Sequence, residues 1–260
     1  MLDVIALPAF NDNYIWLLRP RGDRRCWVVD PGEATPVLRY LQAHDLTLEG
    51  ILLTHHHPDH IGGVAELAKP GVTLIGALQD TYRLPPLTLQ VSSGDRFQML
   101  GHTLQVIEVP GHTLGHLAFY IPETTPPMLF CGDTLFAGGC GRLFEGTPEQ
   151  MHASLQSLAQ LPETTQVFAA HEYTLKNLEF ALKVEPSNPA LTERLASCKA
   201  LRTHQEPTLP STLALELATN PFLRVDQPEV IQAAQHYSGH PQLKDPAEVF
   251  SVIRQWKDSA

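Results

Sequence analysis

The sequence predicts an α/β fold, with two sheets covered by helices and then a smaller helical domain. Three observations carry this expectation. Short β-branched or apolar runs alternate with turns up to about residue 171. Gly-Asp, Asp-Pro-Gly and Pro-Gly-His turns join those runs. Beyond residue 172 the strand rhythm stops, and helical periodicity broken by prolines takes over.

Taken in order, Val4–Leu7, Tyr14–Leu18 and Cys26–Asp30 read as strands, and Thr35–His44 as a helix. Gly50–Thr54 is an apolar strand, Gly63–Ala68 a short helix and Val72–Gly76 a further strand. Thr103–Val109, Leu117–Ile121 and Met128–Cys131 continue the strand pattern. Thr147–Leu161 has the signature of a helix start: Thr147 caps, Pro148 takes the first helical position, and Glu149 and Gln150 follow. Gln166–Ala170 is the last predicted strand. Leu175–Val184, Pro189–Leu201, Leu213–Ala218, Glu229–Tyr237 and Ala247–Lys257 then read as helices, separated by breaks such as Glu206-Pro207 and Asp245-Pro246. The expected division is an α/β domain over 1–172 and a smaller helical domain over 173–260.

Composition excludes several classes. With 260 residues, 43% hydrophobic and 18% charged, the chain can build an ordinary core. A net charge of −10 with no run of Lys or Arg argues against nucleic acid as a partner. The N-terminal MLDVIALPAF has no positive n-region, and no stretch approaches the roughly 18 uninterrupted apolar residues of a membrane span. Cys26, Cys131, Cys140 and Cys198 form no C-x-x-C pair or disulfide-like framework, so a reducing cytoplasm is expected.

Histidine is the unusual entry: four of the 13 fall within His55 to His60. Thr54–His60 reads T-H-H-H-P-D-H directly after Ile51-Leu52-Leu53, so a buried strand delivers these residues to a sheet edge. In extended backbone His55 and His57 point the same way and can share a metal ion, while His56 points to the opposite side. Asp59 and His60, past the Pro58 turn, can face a second ion. Three more apolar runs end in His112, Asp133 and His171. Together they complete two sets: His55, His57 and His112 on one ion, Asp59, His60 and His171 on the other, with Asp133 between. His116 can orient a ligand or cap the next strand. Asp30 can fix an imidazole tautomer or simply form the Asp-Pro-Gly turn.

T-H-x-H-x-D-H followed by separate His, Asp and His resembles the metallo-β-lactamase superfamily, and most closely its hydroxyacylglutathione hydrolase (glyoxalase II) family. Supporting segments are D-N-Y at Asp12–Tyr14, V-V-D-P-G at Val28–Gly32, P-G-H-T-x-G-H at Pro110–His116 and C-G-D-T-L-F at Cys131–Phe136. G-C-G-R-L-F-E-G-T at Gly139–Thr147, H-E-Y-T at His171–Thr174, P-S-T-L at Pro210–Leu213 and T-N-P-F-L-R at Thr219–Arg224 extend the likeness over nearly the whole chain. The resemblance implies an αβ/βα sandwich with a C-terminal helical domain. It also implies the ligand sets above, two divalent ions with zinc foremost and iron or manganese as alternatives, and a monomer. The implied activity is hydrolysis of S-(2-hydroxyacyl)glutathione, chiefly S-D-lactoylglutathione, to glutathione and D-lactate, in methylglyoxal detoxification.

Two cations about 3.5 Å apart lower the pKa of a shared water toward neutrality, so Asp59 and Asp133 count as catalytic by holding that pair. No Ser or Cys nucleophile is then required, in keeping with the lack of a G-x-S-x-G elbow. For the substrate, the resemblance implies contacts from Arg142, Leu143, Phe144 and Tyr173, and an Arg254–Lys257 pair, spaced i,i+3 on one helix face, for the glycine carboxylate. Phe144 stands where some family members have Tyr, which removes one hydroxyl contact worth about 0.5–1.5 kcal/mol. A one-iron persulfide dioxygenase would need an open iron face, and the full second set of Asp59, His60 and His171 argues against it. A structural metal module would favour cysteine ligands, and none of the four cysteines has ligand spacing.

Overall fold

A computed structural model describes all residues, Met1–Ala260. The chain forms two compact units, one of Met1–Glu108 with Gly115–Gly132, the other of Val109–Leu114 with Asp133–Ala260.

The first unit opens with β1 (Leu2–Ala9), β2 (Asn13–Pro20), β3 (Arg25–Val29), α1 (Ala34–His44) and β4 (Thr47–Leu52). Two single-turn helices, α2 (Pro58–Ile61) and α3 (Val64–Leu67), lead to β5 (Thr73–Ala77) and β6 (Leu89–Val91). These strands make a sheet in the order β1-β2-β3-β4-β5-β6. The first three are antiparallel neighbours, and β3 to β6 are parallel. Parallel pairing needs a crossover, which α1 supplies between β3 and β4. Crossover strands are covered on both faces, and the runs Cys26–Val29 and Gly50–Leu52 are accordingly buried throughout. The remaining strands, β7 (Arg96–Met99), β8 (His102–Glu108), β9 (Leu117–Ile121) and β10 (Met128–Gly132), form an antiparallel meander.

The second unit holds β11 (Leu135–Phe136) and β12 (Gly139–Cys140), which pair as a small hairpin, then α4 (Pro148–Ala159) and β13 (Gln166–Ala169). There follow α5 (Thr174–Val184), α6 (Pro189–Thr203), β14 (Ser211–Thr212), α7 (Leu213–Thr219), α8 (Pro228–Ser238) and α9 (Pro246–Ser259). Helix α4 starts as expected, with a full capping box between Thr147 and Gln150. Asn188, Thr212 and Asp245 cap α6, α7 and α9. Leu178 and Ala181 of α5 pack with Leu191 and Cys198 of α6. Further along the same unit Phe222 stacks on Phe180 and meets Phe250 edge-to-face.

The mixed α/β architecture agrees with the expectation. The long elements coincide with the predicted runs, whereas β6, β7, β11, β12 and β14 have no counterpart in the sequence reading. Two to four residues are too few to show a period. Pro58–Ile61, read as a turn, is one turn of helix, because His57 sits extended before Pro58 at the first helical position.

Candidate metal centre

In the first unit, the end of β4 is pinned before the histidines begin. Leu52 C=O accepts from Asp30 N–H at 2.9 Å, and Thr54 C=O accepts from Leu117 N–H at 2.8 Å, tying β4 to the start of β9. Asp30 leaves β3 in the left-handed region, φ 51°, which turns its buried carboxyl toward Thr54. There it accepts from Thr54 N–H at 2.8 Å and from the Thr54 hydroxyl at 2.6 Å, and it lies 3.0 Å from His60 Nδ1. A carboxylate only accepts, so the Thr54 proton is spent on Asp30, and Thr54 Oγ1, 3.1 Å from His55 Nδ1, must accept from that ring. By the same logic His60 Nδ1–H donates to Asp30. Both rings therefore present an Nε2 lone pair, the form a metal ion takes. Asp30 serves as turn residue and tautomer partner together.

The neighbouring donors are close. His55 Nε2 and His57 Nδ1 are 3.0 Å apart, and His60 Nε2 lies 3.5 Å from Asp59 Oδ2, which also accepts from Asn13 Nδ2 at 3.1 Å. His116, fully buried, stacks on the His55 ring with centroids 4.6 Å apart and planes 20° from parallel, so it orients a donor ring. Gly132 (φ 48°) is required beside it: a Cβ there would lie 2.4 Å from Thr54 Oγ1 and 2.8 Å from the His116 ring. His56 turns to Asp80, 3.3 Å away, whose carboxylate also takes the Arg83 guanidinium. Asp30, His55 and His60 form a buried trio that could hold an ion by distance alone. With three donors already on its carboxylate, Asp30 is better described as their partner than as a ligand.

In the second unit, His112 Nδ1–H donates to the Arg142 carbonyl at 2.8 Å. Its Nε2 then faces Asp133 Oδ2 at 3.4 Å, while His171 Nε2 faces Asp133 Oδ1 at 3.3 Å. Gly141 allows this approach, since a Cβ would sit 1.9 Å from the Asp133 carbonyl oxygen. Tyr173 stacks on the His171 ring at 4.7 Å and 6°, and Phe136 meets both edge-on. Phe144 lies edge-to-face on His112 at 5.2 Å but is 63% exposed, and Leu143 is half-buried.

Donor spacing tests whether these residues fit a metal. Ligands about 2.0–2.1 Å from a tetrahedral ion are separated by about 3.3 Å along each edge. The pairs His55–His57, Asp59–His60, His112–Asp133 and His171–Asp133 span 3.0 to 3.5 Å. For His112, whose proton is on Nδ1, the facing atoms are two lone pairs, which repel without a cation between them. The donor set fits.

The cations singled out in the sequence cluster at the end of α9. Arg254 is 5% exposed, with Nη1 on the Cys140 carbonyl at 2.9 Å and Nη2 on Asp258 at 2.9 Å. Arg142 is exposed and 3.6 Å from the same carboxylate. Lys257 donates to the Lys176 carbonyl at 3.1 Å and lies 5.0 Å from the Phe180 ring centre. Burial pushes the Lys257 ammonium down to about 8, and the charges of Arg254, Lys183 and Lys176 add to this. Burial raises the Cys140 thiol to about 11, so it is no nucleophile. Sequence reasoning gave no role to Asn13, Asp80, Asp258, Glu216 or Asn220. Only Asn13 and Asn220 lay in segments it singled out, D-N-Y and T-N-P-F-L-R.

The metallo-beta-lactamase superfamily profile matches residues 10–171, and the profile described as hydroxyacylglutathione hydrolase C-terminus matches residues 172–260. A hydroxyacylglutathione hydrolase of Pseudomonas aeruginosa is 55% identical over 260 residues, covering 99% of each chain. Among solved structures, TTHA1623 in a di-iron-bound form is 27% identical with a TM-score of 0.61, over 85% of this chain and 100% of that one. The BLEG-1 B3 metallo-beta-lactamase has a TM-score of 0.63 at 23% identity, over 86% of this chain and 99% of its own, and shares the fold.

Proposed function

The chain belongs to the hydroxyacylglutathione hydrolases of the metallo-beta-lactamase superfamily, and from that premise we propose how its own residues carry the reaction. It is a thioester hydrolase acting on hydroxyacylglutathione, and it binds divalent metal ions. In our reading there are two ions, both zinc. His55, His57 and His112 would hold one, Asp59, His60 and His171 would hold the other, and Asp133 would serve between them. With Asp133, each set combines imidazole and carboxylate donors of the kind that divalent ions take. The relative solved with two irons supports the count. Residues 1–172 carry the chemistry and 173–260 the substrate's glutathione end. The chief substrate is S-D-lactoylglutathione, and the enzyme works as a monomer in a reducing cytoplasm, where its four buried cysteines stay reduced.

Bound divalent cations would bring the pKa of a shared water from about 16 toward about 7 and polarise the thioester carbonyl. The protein's own part is orientation. Asp30 and Thr54 hold the imidazoles of His60 and His55 with Nε2 deprotonated, and the Arg142 carbonyl does so for His112. Asn13 fixes the Asp59 carboxylate. The leaving thiolate has a conjugate acid near the free cysteine pKa of about 8.5, so its departure needs no protein acid. Arg142, Leu143, Phe144, Tyr173, Arg254 and Lys257 are the substrate contacts in this reading. Bonds to the Cys140 carbonyl and to Asp258 fix the direction of the Arg254 guanidinium.

The observation that carries the dinuclear reading is Asp133, which offers each of its oxygens to a different imidazole. Purified enzyme should contain about two ions per chain and release thiol from S-lactoylglutathione at full rate without oxygen. Full activity with one ion would sink the dinuclear mechanism, and a requirement for oxygen would sink hydrolysis.

Lys257 gives the reaction a pH dependence. A partly buried ammonium that deprotonates near pH 8 holds a carboxylate below that pH and loses it above. The kcat/KM profile, which reports the free enzyme, should therefore fall above about pH 8. Lys257→Arg should move that limb to higher pH with metal content unchanged. An identical profile in the variant would remove Lys257 from substrate binding.

A further inference from the structure

The T-N-P-F-L-R and P-S-T-L segments have no part in the chemistry described so far, yet they meet in an enclosed polar cluster. Glu216, Thr219 and Asn220 are fully buried, and Arg194 and Ser211 nearly so. One Glu216 oxygen accepts from Arg194 and from the Ser211 hydroxyl. The other accepts from Gly138 N–H at 2.8 Å and Asn220 Nδ2 at 3.2 Å. Asn220 Nδ2 also donates to the carbonyls of Phe136 at 3.2 Å and Gly139 at 2.9 Å, while its Oδ1 accepts from Phe222 N–H at 3.1 Å. Asn177 Nδ2 donates to the Ala137 carbonyl at 3.1 Å. Every residue from Phe136 to Gly139 thus has a backbone group held by a side chain of α5, α7 or the α7 C-cap.

Those four residues are the tip of the β11–β12 hairpin, whose strands have two residues each and pair only as Leu135↔Cys140 and Phe136↔Gly139. So short a ribbon does not hold its own shape in isolation. Its base closes with Gly141 N–H on the Thr134 carbonyl at 3.1 Å. Immediately outside that closure stand Asp133 on one side and, on the other, Arg142, whose carbonyl sets the His112 tautomer. A shift at the tip is therefore passed through about one hydrogen-bonded rung to both.

We propose that Asn220, seconded by Asn177, is a positioning residue for the metal centre. By gripping both sides of the hairpin tip it sets the placement of the Asp133 carboxylate and of the carbonyl that orients His112. The helical region thereby controls the affinity of a site to which α5 and α7 contribute no ligand. The inference rests on the reading of Asp133 and His112 as ligands. Sites of this kind need their donors within about 0.5 Å of the productive geometry, and loss of an outer partner typically lowers metal affinity about 10–100-fold.

The test measures metal affinity of the full-length protein by chelator competition, together with the visible spectrum of the cobalt-substituted enzyme. Asn220→Ala should weaken the looser ion by about tenfold, alter the cobalt bands, and lower kcat with little change in KM. Asn177→Ala should do the same to a smaller degree, and it carries the test if Asn220→Ala does not fold. Folded variants with unchanged metal affinity and cobalt spectrum would overturn the proposal, even if their thermal stability fell. Asp133→Asn is the control. If it too keeps wild-type affinity, the ligand assignment fails and the positioning role fails with it.

Discussion

Asp133→Asn should lower kcat/KM by about a thousandfold and, with the two ions proposed above, reduce the bound metal toward one per chain, a loss larger than the roughly 10–100-fold for an outer partner. The physical reason is the change in charge and donor number. The native carboxylate turns one oxygen to His112 Nε2 and the other to His171 Nε2, at 3.4 and 3.3 Å. An amide of the same shape offers one neutral oxygen and one NH2, and the NH2 cannot bind a cation. Two imidazoles and the surrounding backbone stay in place, so the variant folds. Steady-state kinetics with S-lactoylglutathione and elemental analysis of the same preparation check both halves. Near-native activity with two bound ions would remove Asp133 from the centre. The effect is on chemistry, so the loss is expected in kcat and not in KM.

Glu216→Ala destabilises the protein by about 3–5 kcal/mol, the cost of stranding a buried charge whose partner has been removed. Glu216 and Arg194 side chains are 0% and 3% exposed, and the same carboxylate also satisfies Gly138 N–H, Ser211 and Asn220. At about 2–4 °C per kcal/mol for a chain of this size, Tm falls by roughly 10 °C. Calorimetry of the metal-loaded protein measures it. The double variant Arg194→Met with Glu216→Leu removes both charges and should recover a large part of the loss, because an apolar pair of similar volume avoids the desolvation of the ion pair. A single variant within about 1 kcal/mol of wild type would show that the pair is not enclosed in solution.

The proposed metal ligands stand out in the sequence because metal binding draws on few residue types. Imidazole and carboxylate at successive strand ends are rarely arranged so by chance, and T-H-H-H-P-D-H after Ile51-Leu52-Leu53 marked both the element and its edge. The long elements were legible for a related reason. Apolar periodicity, a Thr147 cap and the proline breaks each act within a few residues, and the capping box at α4 formed as read. The role of Asp30 was open between turn and tautomer partner, since the answer depends on Thr54 and His60, 24 and 30 residues away. His116 has two readings in the sequence for the same reason, and its stacking on the His55 ring decides between them.

From the residues alone come the candidates for the chemistry, the ends of the strands that carry them, and the common helix face of Arg254 and Lys257. Tertiary structure alone decided which groups serve them. It enclosed Arg254 against the Cys140 carbonyl and partly buried Lys257, lowering its ammonium to about 8. It also brought Asn220 onto carbonyls 81 and 84 residues earlier in the chain. The division has a physical cause. Periodicity and local hydrogen bonding fix an element from its own few residues, whereas the partner of a buried polar atom is chosen by which distant segment packs beside it.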